Sequence, residues 1–136
     1  MNRKETVPMS YYFSKILSMP FEEAIEKVTA ELKNEGFGIL TKIDIKETLK
    51  KKLDVDFKKY VILGACNPPF AYKSLLAEEK IGLMLPCNVV VLEVGDSKTE
   101  VAAIDPIASM KAVNNNALAD IAGIVQEKLK RVVENL

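Results

Sequence analysis

The sequence predicts an α+β fold in which a mostly antiparallel sheet is covered on one face by helices. Two long segments carry apolar residues at three- and four-residue steps, the spacing that places a single stripe on a helix. About five other segments are short and β-branched or alternating, and Gly95-Asp96-Ser97 joins two of them as in a hairpin. A chain of 136 residues can bury one core but not two. We therefore expect a single domain over residues 1–136, with about the first eight residues flexible.

Five segments are predicted as strands. Residues 11–16 are aromatic and β-prone, and residues 37–43 alternate between more and less apolar side chains. Residues 60–64 form a compact apolar run that suits a buried strand. Residues 84–94 are the most β-branched stretch, and residues 99–105 follow them after the turn. This order fits a mostly antiparallel sheet. If the third and fourth strands are neighbours in it, the end of one lies beside the beginning of the other.

Two long helices are predicted from their buried stripes. The first begins after Ser18 and Pro20 and ends at Gly36; its stripe is Phe21, Ala24, Ile25, Val28 and Leu32. The second covers residues 117–135, after an asparagine-rich loop; its stripe is Leu118, Ile121, Val125, Leu129 and Val132. Both stripes are one-sided, so both helices should lie on one face of the sheet.

Shorter helices are predicted in two places. A lysine-rich helix places Ile45, Leu49 and Leu53 on one narrow inward seam. Another helix covers residues 69–78, because proline is accepted in a first helical turn.

The fourth strand also predicts something about the second sheet face. Its run Val89-Val90-Val91-Leu92 places apolar side chains on both faces. An open apolar face needs the small helices or a partner chain over it. A homodimer is our first expectation.

Charge and composition exclude several classes of function. Nineteen basic and nineteen acidic residues cancel, and only Arg3 and Arg131 are arginine, so we expect no nucleic-acid partner. The basic run at residues 50–59 contains acidic residues and fits a solvated face. Apolar runs fall short of the roughly 20 residues that span a bilayer, and no signal-peptide pattern follows Arg3. We expect no membrane partner and a cytoplasmic location.

The chain contains no histidine. This absence removes Ser-His and Cys-His nucleophile pairs, histidine-ligated metals and imidazole proton shuttles. Any catalysis would have to use a thiol, a carboxylate, a lysine or a tyrosine. Nothing in the sequence identifies a cofactor.

The two cysteines, Cys66 and Cys87, are the best functional candidates. Cys66 follows the third strand and precedes a predicted helix N-terminus, where outward-facing amide groups and the helix dipole stabilise a thiolate. Cys87 opens the fourth strand after Leu85-Pro86. In an antiparallel pair the end of one strand lies beside the beginning of the next, so we expect both sulfurs at one sheet edge.

Three interpretations of the cysteine pair remain open. Each cysteine could be a small buried hydrophobic residue. The pair could instead be a functional thiol site that senses oxidants or binds zinc or copper(I), with Asp105 or Asn67 completing the ligand shell. A disulfide is the third interpretation, and reducing conditions in the cytosol argue against it. Two thiolates are too few for a closed zinc site, although a dimer would supply four.

Three further segments occur in a characteristic order: NEGFG (34–38), ILGACNPPFAY (62–72) and GLMLPCNVVV (82–91), followed by Asp105-Pro106. Together they resemble Domain of Unknown Function family 302. The resemblance implies a fold similar to the TATA-binding protein, with a curved antiparallel sheet, two helices on one face and usually a dimer. It carries no activity, because fold alone does not imply function. The characteristic residues map here onto Cys66, Asn67, Pro68, Tyr72, Pro86, Cys87, Asp105 and Pro106.

The leading functional hypothesis is a dimeric binding domain, in which Cys66, Asn67, Tyr72 and Cys87 capture a small molecule, an oxidant or a metal. The alternative is a thiol-dependent enzyme with Cys66 as nucleophile, for which Cys87 and Asp105 are further catalytic candidates. In that case Asp105 or Tyr72 would assist proton transfer, although Asp105 also suits a backbone cap and Tyr72 also suits packing. A purely structural assembly domain is the third possibility.

Overall fold

A five-stranded antiparallel sheet organises the chain in a computed structural model, which describes residues 10–136. The strand order is β1-β5-β4-β3-β2. From β2 to β5, strands that follow each other in the sequence are therefore also neighbours in the sheet. The bounds are β1 (Tyr12–Leu17), β2 (Gly38–Asp44), β3 (Tyr60–Cys66), β4 (Cys87–Gly95) and β5 (Lys98–Ile104). The α+β class and the antiparallel sheet are as predicted; the expected flexibility of the first residues lies outside the described residues.

Helices connect the strands and flank the sheet. Their bounds are α1 (Phe21–Asn34), α2 (Ile45–Leu53), α3 (Pro68–Ala77), α4 (Pro106–Ser109) and α5 (Asn116–Glu134). A 3₁₀ helix, Glu79–Met84, lies between α3 and β4. Across residues 10–136 we find no helix with the length and apolar character that crossing a membrane would require.

The core lies between α1, α5 and one face of the sheet. Val61, Val91 and Val101 face each other across β3, β4 and β5, and all three are buried. The predicted stripes of α1 and α5 cover this face with buried residues such as Val28 and Leu129. Side chains alternate between the two faces of a strand, so burying the apolar residue at every second position fixes which face of the sheet is inward.

The opposite face of the sheet carries a second apolar row. Ser14, Ala102, Val90, Ile62 and Ile43 lie side by side across the five strands. Ile43 is 46% exposed and Ile16, on the same face of β1, is 60% exposed. The apolar character that the sequence predicted for both faces is therefore present.

Some predicted boundaries were wrong. The fourth strand begins at Cys87 rather than at residue 84, because Met84 ends the 3₁₀ helix and Pro86 has no N–H to donate to a sheet. Leu53, expected on an inward seam, is 66% exposed, and α2 has no buried residue. The short helix α4 was not predicted, although its Asp-Pro start is a recognised N-terminal signal.

Gly64 in β3 gives a test of this packing. A Cβ atom there would overlap Thr41 Oγ1 and come within 2.9 Å of Pro86 Cγ. We expect Gly64→Ala to lower the free energy of unfolding by about 1–3 kcal/mol, as overpacked sites do. Urea denaturation measures the change.

The matched control is Gly38→Ala on the neighbouring strand, where a Cβ would have no atom within 4 Å. It should change the free energy of unfolding by less than about 0.5 kcal/mol. Adding Thr41→Ala to Gly64→Ala should restore part of the loss. Equal effects of the two glycine substitutions would contradict the described packing.

Candidate functional site

One cavity lies where the ends of β3 and β4 meet α3, α4, α5 and the 3₁₀ helix. Its volume is about 320 Å³. Cys66 and Cys87 both line it, together with Asn67. Within the described chain none of its lining residues is charged; they are Phe37, Leu40, Ala65, Cys66, Asn67, Phe70, Ala71, Ser74, Leu75, Gly82, Leu85, Pro86, Cys87, Pro106, Met110, Ile121, Ala122 and Val125.

The register of β3 and β4 brings the two cysteines to this cavity. Cys87 is the first residue of β4 and lies directly opposite Ala65, the residue before Cys66. Cys87 also packs against the hydrophobic core. Both cysteines are free thiols and both are half-buried. The third and fourth strands are antiparallel neighbours, which is the condition on which the expectation of a shared sheet edge rested, and the two thiols share one cavity.

The segment after Cys66 differs from the expectation in one respect. Helix α3 begins with Pro68 and Pro69, and its cap residue Asn67 makes no side-chain hydrogen bond to the helix. Because proline has no N–H, only Phe70 can present a free amide in the first turn. The expected row of outward amide donors beside Cys66 is therefore wrong, and the helix N-terminus supplies far less stabilisation to an anion than a typical one.

Asn67 is a structural anchor at the cavity wall. It is only 8% exposed, and its Nδ2 donates a hydrogen bond to the backbone oxygen of Glu35, at 3.1 Å. Glu35 in turn pairs with Arg131 of α5, which donates to both carboxylate oxygens at 3.0 and 3.3 Å. The Arg131 guanidinium lowers the pKa of the Glu35 carboxyl, so the pair stays ionised. These contacts join the end of α1, the start of α3 and α5 around the cavity.

Two residues predicted for the site lie elsewhere. Tyr72 is 65% exposed and does not line the cavity. Asp105 caps α4, because its Oδ1 accepts hydrogen bonds from the Ile107 amide at 3.0 Å and from Gln126 Nε2 at 3.1 Å. It also does not line the cavity, whereas its neighbour Pro106 does. The capping interpretation of Asp105 agrees with this geometry.

The metal interpretation lacks a third ligand. Among residues 10–136 there is no group of three or more cysteine, histidine or acidic side chains close enough to hold a metal ion. The Oδ1 atom of Asp105 is engaged with α4, and Asp105 does not line the cavity, so its carboxylate does not complete a shell around the two thiols. Asn67 does line the cavity, where its Nδ2 donates to the Glu35 backbone oxygen.

The chemistry of Cys87 follows from its surroundings. Burial, and to a smaller extent the nearby Cys66, together raise the pKa of the Cys87 thiol to about 11. At neutral pH Cys87 is therefore a neutral thiol, which behaves as a polarisable apolar group rather than as a nucleophile.

Sequence reasoning missed most of the cavity wall. Phe70, Ala71 and Ser74 line it from α3, and Ile121 and Val125 line it from α5. The stripe of α5 was recognised, but its spacing does not tell whether a residue packs on a neighbour or borders a void. The available signal was the proximity of Phe70 to Cys66 in the sequence.

Comparison with known proteins identifies the family. Residues 13–136 match the family described as Domain of unknown function DUF302. The match covers nearly the whole chain, so the protein belongs to this family, as its sequence motifs indicated.

A solved structure supports the same assignment. The chain is similar to the crystal structure of an uncharacterized conserved protein DUF302 from Bacillus stearothermophilus, at 30% sequence identity and a TM-score of 0.83. The similarity covers 91% of this chain and 96% of that one. A search of curated proteins finds none that matches this chain.

Cysteine alkylation tests the environment of Cys87. With a pKa of about 11, its alkylation rate by iodoacetamide in the folded protein should keep rising beyond pH 10. At pH 8 it should react about a hundredfold more slowly than the same cysteine in the unfolded chain, because burial and Cys66 raise its pKa from 9.0 to about 11. Mass spectrometry of digested samples reads each cysteine separately.

Cys66→Ala is the internal control. This variant removes the effect of Cys66, which is the smaller of the two causes of the raised pKa of Cys87. That pKa should therefore fall but stay above its ordinary value, since burial is the main cause. Rapid alkylation of Cys87 at pH 8 in the folded protein would contradict this description.

Proposed function

We propose that this protein is a binding domain that takes a small, largely apolar molecule into the cavity where Cys66 and Cys87 meet. The observation that carries the proposal is that cavity itself, about 320 Å³ in volume with no charged lining residue in the described chain. Small-molecule sites are typically concave, mostly apolar and of roughly 300–1,000 Å³. This cavity is at the lower end of that range, which favours a small ligand.

The polar groups of the wall support an apolar ligand. Ser74 Oγ donates to the Phe70 backbone oxygen at 2.8 Å, and Asn67 Nδ2 donates to the Glu35 backbone oxygen. With these donors already engaged, a ligand meets mainly hydrocarbon and two sulfur atoms. A strongly polar ligand would have polar groups without hydrogen bonds there, and each such group costs roughly 2–7 kcal/mol.

The same facts disfavour the other uses of the thiols. A nucleophile needs a thiolate, and Cys87 is a neutral thiol at neutral pH. A metal site needs further ligands, and residues 10–136 hold no group of three or more cysteine, histidine or acidic side chains that could bind a metal ion. An enzyme with Cys66 as nucleophile needs a base at the cavity. The two assistants suggested by the sequence, Tyr72 and Asp105, do not line it. The cytoplasm remains our proposed compartment, where both cysteines would stay reduced.

We also propose that two copies associate through the open sheet face. Five strands about 4.8 Å apart and roughly 20 Å long present on the order of 500 Å² per copy. Two such faces bury about 1,000 Å², which is the lower bound for a stable interface. Val90 lies at the centre of the apolar row, and a symmetric dimer requires such a self-complementary patch.

Filling the cavity tests the ligand proposal. Ala71 lines the cavity from α3, so Ala71→Phe should occupy part of it. Toluene and 1-octanol should raise the melting temperature of the wild-type protein, because a ligand that binds only the folded state stabilises it. This rise in melting temperature should be abolished in Ala71→Phe and reduced in Ala71→Leu. The Ala71→Leu variant provides the test if Ala71→Phe does not fold.

The control is Ala119→Phe on the exposed surface of α5, which should keep the full shift. A second readout is the alkylation of Cys66, which a bound probe should slow. If neither probe shifts the melting temperature, or if Ala71→Phe responds like the wild type, the proposed function is wrong.

Sedimentation tests the dimer. At micromolar concentration the wild-type protein should sediment at twice the chain mass, and Val90→Lys should sediment as a monomer, because it places a charge at the centre of the interface. Ala119→Lys on the surface of α5 should remain dimeric. A wild-type monomer, or a dimeric Val90→Lys, would rule out this face as the interface.

A further inference from the structure

Two ammonium groups lie near Phe70, a residue of the cavity wall, although neither lysine lines the cavity itself. Leu40 and Leu75 line the cavity and are 67% and 45% exposed, so the apolar wall continues to the surface. Phe70 is half-buried and also lines the cavity. Lys73 Nζ lies 5.5 Å from the centroid of the Phe70 ring, and Lys128 Nζ lies 6.0 Å from it.

The two lysines differ in how they are held. Lys73 is on α3, one turn after Phe70, and within the described chain no carboxylate pairs with it. Lys128 is on α5, and its Nζ lies 3.9 Å from Glu35 Oε1. The Glu35 carboxylate already accepts hydrogen bonds from Nε and Nη2 of Arg131. Each ammonium carries three N–H donors, so both retain donors for another anion.

The Phe70 ring therefore has two ammonium groups within about 6 Å of its centroid. Arg131, farther along α5, is paired with Glu35 and also lies in the field of Glu127 and Glu134. No acidic residue of the described chain lines the cavity. An anion at this wall would gain two ammonium partners, while the rest of its molecule would meet hydrocarbon.

We propose that the ligand of this cavity is an amphipathic carboxylate, with its apolar body among the thiols and its anionic end at Lys73 and Lys128. This inference rests on the proposed binding function and adds the chemical class of the ligand. The volume sets the size of the apolar body. A cavity of about 150 Å³ holds benzene, so about 320 Å³ accommodates roughly eight to twelve carbon atoms.

Three probes with the same eight-carbon body test the inference: octanoate, 1-octanol and octylammonium. At pH 7.5 their end groups carry a negative charge, no charge and a positive charge. Dissociation constants measured by calorimetry, below the concentrations at which the probes aggregate, should rank octanoate tightest and octylammonium weakest. Octanoate should bind about fivefold more tightly than 1-octanol, as one exposed ion pair allows.

Lysine variants identify the groups responsible. Lys73→Gln and Lys128→Gln should each weaken octanoate binding by about two- to fivefold and leave 1-octanol binding unchanged. Lys52→Gln on the exposed helix α2 is the matched control and should change neither. The advantage of octanoate should also shrink as salt concentration rises, because exposed charges are screened.

The outcomes separate this inference from the proposed function. Equal affinities for all three probes, each abolished by Ala71→Phe, would overturn the carboxylate assignment and leave the cavity as a binding site. Octanoate binding that persists in Ala71→Phe would place the carboxylate outside the cavity and overturn the inference as well. If none of the three probes binds, both the inference and the proposed function fail.

Discussion

The pairing of β3 with β4 is the constraint on which the rest of the site depends. Val61 pairs with Val91 and Leu63 pairs with Val89, and all four are buried against the helices. A slip of one residue would turn the whole apolar set of β4 to the opposite face, so the core itself holds the register. The same register places Cys87 opposite Ala65. The position of one thiol is therefore fixed by hydrophobic packing several residues away.

The cavity forms because the two halves of α5 face different surroundings. Its C-terminal half packs Leu129 and Val132 into the core against the sheet. Its N-terminal half brings Ile121 and Ala122 to the cavity instead. Pro68 and Pro69 start α3 one residue after Cys66, with Asn67 as the cap between them, so the chain turns away from the sheet at that point. Helix α3 thus forms one wall of the cavity beside the ends of β3 and β4.

Elements with a regular pattern could be predicted from the sequence, and irregular ones could not. The stripes of α1 and α5 and the alternation of the strands are repeated signals, because core burial selects every third, fourth or second residue. The 3₁₀ helix Glu79–Met84 has no such period, so it was not predicted, and the predicted fourth strand began inside it at residue 84. Leu53 obeyed the pattern of α2 but is exposed, since a narrow seam does not by itself provide a surface to pack on.

The same difference in predictability holds at the site. That Cys66 and Cys87 should share one sheet edge could be inferred from strand order alone, because antiparallel neighbours bring ends and beginnings together. Tyr72 could not be placed, because its direction depends on the exact rotation of α3 around its axis. The cavity could not be predicted at all, because a void is defined by residues that fail to meet, and no spacing in the sequence records that.

The two thiols also explain why a charge belongs at the mouth of the cavity. Cys66 raises the pKa of Cys87, which means that negative charge on one sulfur opposes negative charge on the other. At neutral pH the same burial acts against any anionic group placed among the sulfurs. An anionic end group would need cations to offset its loss of water, and Lys73 and Lys128 lie beside the Phe70 wall. In the proposed complex, neutral sulfur at one end and ammonium groups near Phe70 would orient an amphipathic ligand in a single direction.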